Sequence, residues 1–155
     1  MKRAIPVLFL YACFALASCQ PASRDRDDSY GAPSRYEYAL VLHGGAGAMD
    51  PDRMPEAVQL KYTTVLDSAL RLGLDVLAGG GSSLDAVVRV IMCLEDHPLF
   101  NAGKGAVFTS EGKNELDASV MTGHDLNAGA VAGVTDIRNP ILAARAVMEQ
   151  SPHVM

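Results

Sequence analysis

The sequence has no surplus of positive charge. Lys and Arg number 13 against 18 Asp and Glu, for a formal net charge of -5. Nucleic-acid binding rests on clustered cations, so the electrostatic case for that class of partner is missing. No internal repeat and no long low-complexity tract is present, which excludes solenoid arrays and a wholly disordered chain. Cysteine is scarce, with three in 155 residues. Cys13 lies in an apolar N-terminal run and Cys19 just after it, which leaves Cys93 alone in the body of the chain and rules out a disulfide within it. Cys93 sits in the run "AVVRVIMCL" and reads as a small core residue. A glycine-rich stretch exists, "HGGAG" at 43–47. It lacks the G-x-G-x-x-G spacing of dinucleotide sites, and no P-loop Lys follows it.

What is present begins with an export signal. Lys2 and Arg3 precede an apolar run from Ala4 to Ala17, too short for a comfortable membrane span. The following "LASC", Leu16 to Cys19, resembles the lipobox of bacterial lipoproteins, in which the Cys is lipidated and becomes the new N-terminus. On that reading residues 1–18 are a lipoprotein signal peptide and Cys19 is the lipidation site. Gln20 in the next position suits an outer-membrane destination, on the periplasmic face. An ordinary secretory signal cut near the same place, with Cys19 a bystander, is the alternative. Residues 19–37 are polar and rich in Pro, Ser, Asp and Arg, and read as a flexible tether.

Residues 38–155 hold the folded part. Tyr38–Leu42 is a short apolar run that predicts a buried strand ending at "HGGAG". Val58, Tyr62, Val65, Leu66, Ala69, Leu70 and Leu77 recur at helical spacing, with Pro55 at the start and Gly79 at the stop. A second helix is predicted from Ser82 or Ser83 to near His97, with a stripe of Leu84, Val87, Val88, Ile91 and Met92. "GAVFTSEGKNELDASVMTG" predicts two strands joined at Ser110–Lys113, the second with Leu116, Ala118 and Val120 on one face. "LNAGAVAGVTD" predicts a third strand. "NPILAARAVMEQS" predicts a helix with Asn139 as cap and Pro140 at its first position. Helices in a run, then strands in a run, argue for a layered α+β design. Asp117 is expected to be a hydrogen-bonded structural carboxylate. His124 and His153 have no partner spacing and read as non-catalytic.

Six strings, "HGGAG", "GGGSSLDAV", "LEDHPLFNAGKGAVFT", "ELDASVMTG", "AGAVAGV" and "NPILAARAVMEQSPHVM", stand in the order and spacing of the plant-type asparaginases, also called isoaspartyl peptidases. The resemblance covers residues 39 to 155. It implies the N-terminal-nucleophile hydrolase fold, an αββα sandwich, incomplete in this chain. It implies hydrolysis of Asn and of β-aspartyl dipeptides by a Thr that autocatalytic cleavage exposes. In the family that Thr stands in a stretch like "GTVGAVA". Thr63, Thr64, Thr109, Thr122 and Thr135 all lack the Gly before and the Val-Gly after. No catalytic residue is therefore assigned here, and the nucleophile is expected beyond Met155. Small-molecule substrate is expected only with that β segment, and the resemblance implies a dimer of αβ units.

The resemblance also implies a sodium ion held by main-chain carbonyls of Leu94, Glu95, His97, Phe100, Ala102 and Lys104. A helix C-terminus with water in the same place is the competing reading. Asn101 is a candidate supporting residue near the active-site floor, or else a turn residue bonding its own backbone. His43, Gly44, Gly45 and Gly47 would lie beside the precursor's scissile bond, or serve as a packing loop. A different class of reading is a non-catalytic lipoprotein remnant, binding a partner or inert.

Overall fold

A computed structural model describes residues 37–47 and 50–154. Residues 1–36, on which the expected signal segment, Cys19 and most of the expected tether fall, lie outside the described residues. Among the described residues no helix is long and apolar enough to cross a membrane. The described elements are helix α1 (Glu56–Ala78), helix α2 (Ser83–Glu95), a 3₁₀ turn (Gly103–Gly105), strand β1 (Leu116–Met121), strand β2 (Ala128–Val134) and helix α3 (Pro140–Gln150). The class is α+β, as the order of the patterns suggests.

Helix α1 ends at Gly79, and the next residue, Gly80, takes φ 80° to turn the chain back. Such a φ suits glycine because it has no Cβ. Ser82 then caps α2: its Oγ accepts the Asp85 N–H at 3.1 Å and donates to Asp85 Oδ2 at 2.6 Å. The hairpin's two helices meet closely at Gly73, where a Cβ would stand 2.6 Å from Val90 Cγ2 and 2.4 Å from Leu40 Cδ2.

Helix α2 is the centre of the body. Val90 and Leu94 join Ala69 and Phe100 in one core cluster, whereas Val88 joins Val120, Ile141, Ala144 and Met148 in another. Burial on two sides explains a difference from the stripe expected from the sequence. Ala86 and Val90 are buried, and Val87 is 39% exposed.

Strands β1 and β2 form an antiparallel pair, with Ser119 opposite Ala130 and Val120 opposite Gly129. Leu116 and Val120 point into the core while Asp117, Ser119 and Met121 are exposed. The register slips between Leu116 and Ala118, and Asp117 Oδ1 there accepts the Gly133 N–H at 2.8 Å. Asp117 is thus hydrogen-bonded as expected, but on an exposed face. Two expected strands do not form. Residues 38–42 are extended, with Leu40 and Leu42 packed inward and Val41 91% exposed, but they carry no ladder partner among the described residues. Residues 106–109 likewise form no strand: the Thr109 N–H bonds the Lys113 carbonyl at 2.8 Å across the turn, but the Asn114 side-chain amide takes the Ala106 carbonyl at 2.7 Å and the Val107 carbonyl at 3.2 Å.

Helix α3 lies on the sheet. Asn139 occupies the cap position but does not cap; its Nδ2 donates to Asp96 Oδ1 at 3.2 Å. Arg145 ties α3 to the start of α2 through Asp85 Oδ1 at 2.7 Å, and holds Glu149 Oε1 on its own helix at 2.7 Å. Hydrogen bonds from Ser82 and then Arg145 hold the Asp85 carboxyl below the ordinary carboxylate range. A depressed folded-state pKa makes this contribution present above the unfolded value and lost as pH falls through the folded one. Arg145→Met keeps the apolar stem and removes the charge. It is expected to cost about 1 kcal/mol in urea denaturation, an amount that shrinks in 1 M NaCl, because the pair is partly solvated. An unchanged midpoint at low salt would show the network to be inert.

Candidate functional site

Two stretches distant in sequence share one cleft of about 780 Å³, lined by His43–Gly47, Asn101 and Ala102, with Glu95, Asp117 and Ser119. The glycine loop reaches it because residue 44 has no side chain. A Cβ there would stand 3.2 Å from both Leu66 Cδ2 and Phe100 Cε1, so the loop rests on these two apolar groups. Gly45 takes φ 108° and donates its N–H to His43 Nδ1 at 3.1 Å. Ala46 and Gly47 are exposed along the same wall.

The opposite wall is the loop that follows α2. Phe100 anchors it, 5% exposed and edge-on to Tyr62 at 5.8 Å. His97 braces the turn: its Nδ1 accepts the Leu99 N–H at 3.3 Å and its ring meets Phe100 at 6.1 Å. Asn101 stands on the cleft, exposed, and its Oδ1 accepts the Val107 N–H at 2.9 Å. That bond ties its carbonyl group to backbone six residues on.

Two glycines let the loop fold back closely on its own carbonyls. A Cβ on Gly103, which takes φ 50°, would meet the Glu95 carbonyl oxygen at 2.4 Å. One on Gly105 would meet the carbonyl oxygens of Phe100 at 2.2 Å and Pro98 at 2.8 Å. Some of these oxygens already accept a backbone N–H: Leu94 from His97 at 3.1 Å, Phe100 from Ala102 at 2.8 Å, and Ala102 from Gly105 at 3.0 Å. A carbonyl has two lone pairs, so each keeps a second acceptor direction. Among the described residues no group of three or more His, Cys, Asp or Glu side chains gathers to hold a metal. A cation here would be held by backbone oxygens, a donor set that suits a hard ion. The backbone oxygens packed against Gly103 and Gly105 are donors of the kind such an ion takes.

One carboxylate at the cleft is buried, that of Glu95. Its side chain is 2% exposed; Oε1 accepts the Ile141 N–H at 3.0 Å, and Oε2 has no partner. Burial raises its pKa above the usual carboxylate range, against the Ile141 hydrogen bond and the nearby Asn139 amide that lower it, and the Asp96 charge raises it further. Asp96 is held low by Arg138 Nε at 2.9 Å and by Asn139. Glu95 therefore does for α3 what Asn139 was expected to do. From the sequence, Glu95 stands out only through the resemblance, for its main-chain carbonyl. One signal was available, two acids in succession at the C-terminus of a helix, where the macrodipole disfavours negative charge.

The structure thus brings together the glycine loop, Asn101 and, of the six residues named for their carbonyls, Leu94, Glu95, Phe100 and Ala102; His97 and Lys104 lie off the cleft lining. Cys19 lies outside the described residues. Cys93 is half-buried beside the Ala69, Val90, Leu94 and Phe100 cluster, and His124 and His153 are exposed and away from the cleft lining.

The family described as Asparaginase matches residues 36–155. The isoaspartyl peptidase of Escherichia coli (strain K12) is 53% identical over 116 residues, covering 75% of this chain and 36% of that protein. The isoaspartyl peptidase of Salmonella typhimurium is 50% identical over 116 residues, 75% of this chain and 37% of its own length. A plant-type L-asparaginase from Pyrococcus furiosus is 45% identical over 118 residues, 76% of this chain and 37% of its own. The chain spans little more than a third of the length of these relatives, between 36% and 37%.

Proposed function

Since the chain belongs to the asparaginase family, we propose that it is the N-terminal portion of a hydrolase converting asparagine and β-aspartyl dipeptides to aspartate. One observation carries this reading: the glycine loop 43–47 and the loop carrying Asn101 face each other across a single cleft. In the αββα arrangement we assign, the β1–β2 pair and its covering helices are part of one side. The exposed face of Asp117, Ser119 and Met121 is where the second sheet would lie.

The chemistry divides between this chain and the segment that follows it in the family. A Thr hydroxyl is a poor nucleophile until a base takes its proton. A freed α-amine, with a pKa near ~8, serves as that base at neutral pH. The oxyanion that forms on the attacked carbonyl needs fixed donors, and the substrate's carboxylate and amine call for an Arg and an Asp. All of these belong to the later segment. This chain supplies the walls. Gly44 and Gly45 let backbone come close, which a cleavage-ready peptide and its product Thr both require. Asn101 supports the floor of the cleft. The carbonyls of Leu94, Glu95, His97, Phe100, Ala102 and Lys104 hold a sodium ion that, when bound, supplies a fixed positive charge to the loop. Export completes the reading. Cys19 carries lipid, residues 19–37 tether the domain, and the enzyme works as αβ units on the periplasmic face of an outer membrane.

Ammonia release from asparagine tests the division of labour. The full chain alone is expected to give none. Co-expression with a family segment carrying Gly-Thr-Val-Gly is expected to restore it, and Thr→Ala in that segment to abolish it. Turnover by the 155-residue chain alone would overturn the assignment.

A further inference from the structure

His43 and Asn101, on opposite walls of the cleft, are held in the same way: each gives its acceptor to backbone. His43 Nδ1 accepts the Gly45 N–H at 3.1 Å, and Asn101 Oδ1 accepts the Val107 N–H at 2.9 Å. A ring nitrogen that accepts an N–H carries no proton, so in the neutral imidazole the proton sits on Nε2. A carboxamide whose oxygen takes an N–H is likewise set in one orientation, with the two N–H groups of Nδ2 on its other arm. Each side chain is left with donors on the atom turned away from its backbone partner, and both side chains line the cleft. Nothing lies within 4 Å of where a Cβ on Gly45 would be, so the ring bond, not packing, holds that amide.

The two residues flank one contact. A Cβ on Gly44 would stand 3.2 Å from Phe100 Cε1, and His43 and Asn101 are the next residues along each chain segment. Charge decides what meets their donors. Among the described residues the cleft is lined by the acids Glu95 and Asp117 and by no Lys or Arg. An anionic ligand would find like charge there and no counter-charge. A neutral carbonyl oxygen suits the donors better: it has two lone pairs to accept with and brings no charge of its own. Leu99, Ile91 and Ile141 supply apolar surface for the rest of such a molecule, the usual mixture of a ligand cleft.

We propose that His43 Nε2–H and Asn101 Nδ2–H are a two-donor site for the carbonyl oxygen of an uncharged, amide-class ligand bound in this cleft. Its place in hydrolysis rests on reading the chain as part of an amide hydrolase; the binding itself needs no nucleophile. N,N-dimethylacetamide is the probe, because it offers a carbonyl oxygen and no N–H. The full chain, labelled with ¹⁵N in mildly alkaline buffer where imidazoles are neutral, is titrated with it, and with acetate at matched ionic strength. Before any ligand the His43 ring is expected as the Nε2–H tautomer. With the probe, the ¹⁵N shifts of His43 Nε2 and Asn101 Nδ2 are expected to move along one saturable curve, and acetate is expected to bind at least threefold more weakly. Asn101→Asp keeps an acceptor for Val107 and removes the donors. It is expected to weaken the probe roughly three- to tenfold, the share of one hydrogen bond, while Gln150→Glu, an exposed amide at the end of α3, leaves it unchanged. Should the Asp variant fail to fold, the wild-type tautomer and shared curve still decide. An Nδ1–H ring, anything short of a shared saturable response, acetate binding as tightly as the probe, or Asn101→Asp titrating like wild type would overturn the proposal. Ammonia release by the co-expressed pair is read separately: its failure would overturn the hydrolase reading and leave this site standing.

Discussion

Gly129→Ala is expected to lower the stability of the domain by ~3 kcal/mol or more, the upper part of the range for overpacking. The added Cβ would lie 2.2 Å from the Ala144 carbonyl oxygen and 2.4 Å from the Met148 backbone nitrogen. Both are backbone of α3, so no rotamer change relieves the overlap. The helix must lift from β2 or the strand must bend. Either movement opens the cluster of Val88, Val120, Ile141, Ala144 and Met148, and strains the Asn127 Nδ2 bond to the Met148 carbonyl at 3.1 Å. Replacing a strand glycine by Ala ordinarily gains ~0.5–1 kcal/mol from the unfolded chain's lost freedom. The collision outweighs that gain several-fold. Urea denaturation followed by far-ultraviolet circular dichroism measures the loss, with Gly47→Ala as reference because nothing lies within 4 Å of its Cβ. Equal midpoints for the two variants would refute the close approach of helix and strand.

This contact was only half legible beforehand. The small residues of "LNAGAVAGVTD" signal a tightly packed strand, but not which helix crosses it or at which glycine. Helices were read more fully, because their signals are local. Ser82 and Asp85 mark a start that the Oγ and N–H geometry reproduces, and Pro140 stands at the first position of α3. Pairing is non-local, and there the pattern falls short. Leu40 and Leu42 do point inward as alternation requires, yet a ladder needs a neighbour that no period-two pattern names. At 106–109 a side-chain competitor wins: Asn114 takes the carbonyls that a hairpin partner would use, and Val107 and Phe108 are left 67% and 72% exposed. Of the candidate site, the glycine loop and the Asn101 loop were recognisable as strings. Their meeting was not, since it turns on Gly44 resting against Leu66 and Phe100. Asn139 misled because cap preference describes the local backbone, whereas the N–H of Ile141 is claimed from the end of another helix by Glu95.

Gly105→Ala carries the second large effect, and it separates steric need from conformational need in the carbonyl loop. Gly105 is not among the residues with positive φ, so its backbone would accept any side chain. Space is what forbids one, since the Cβ would stand 2.2 Å from the Phe100 oxygen and 2.8 Å from the Pro98 oxygen. Phe100 cannot yield easily, being packed among Ala69, Val90 and Leu94 and edge-on to Tyr62. The strain therefore falls on the loop itself. The Ala102 N–H bond to Phe100, the Gly105 N–H bond to Ala102 and the Val107 N–H bond to Asn101 are the contacts expected to break. With their desolvated groups left unpaired, the loss is expected at ~2–4 kcal/mol. Any stabilisation by NaCl over choline chloride should vanish with it, because the proposed sodium site is built from the same loop. Gly112→Ala is the comparison: its φ of 75° disfavours a side chain, but nothing lies within 4 Å. That variant should cost ~1–2 kcal/mol through conformation alone and keep the wild-type response to sodium. If Gly105→Ala cost no more than Gly112→Ala, the crowding of carbonyls around residue 105 could not be what shapes this wall of the cleft.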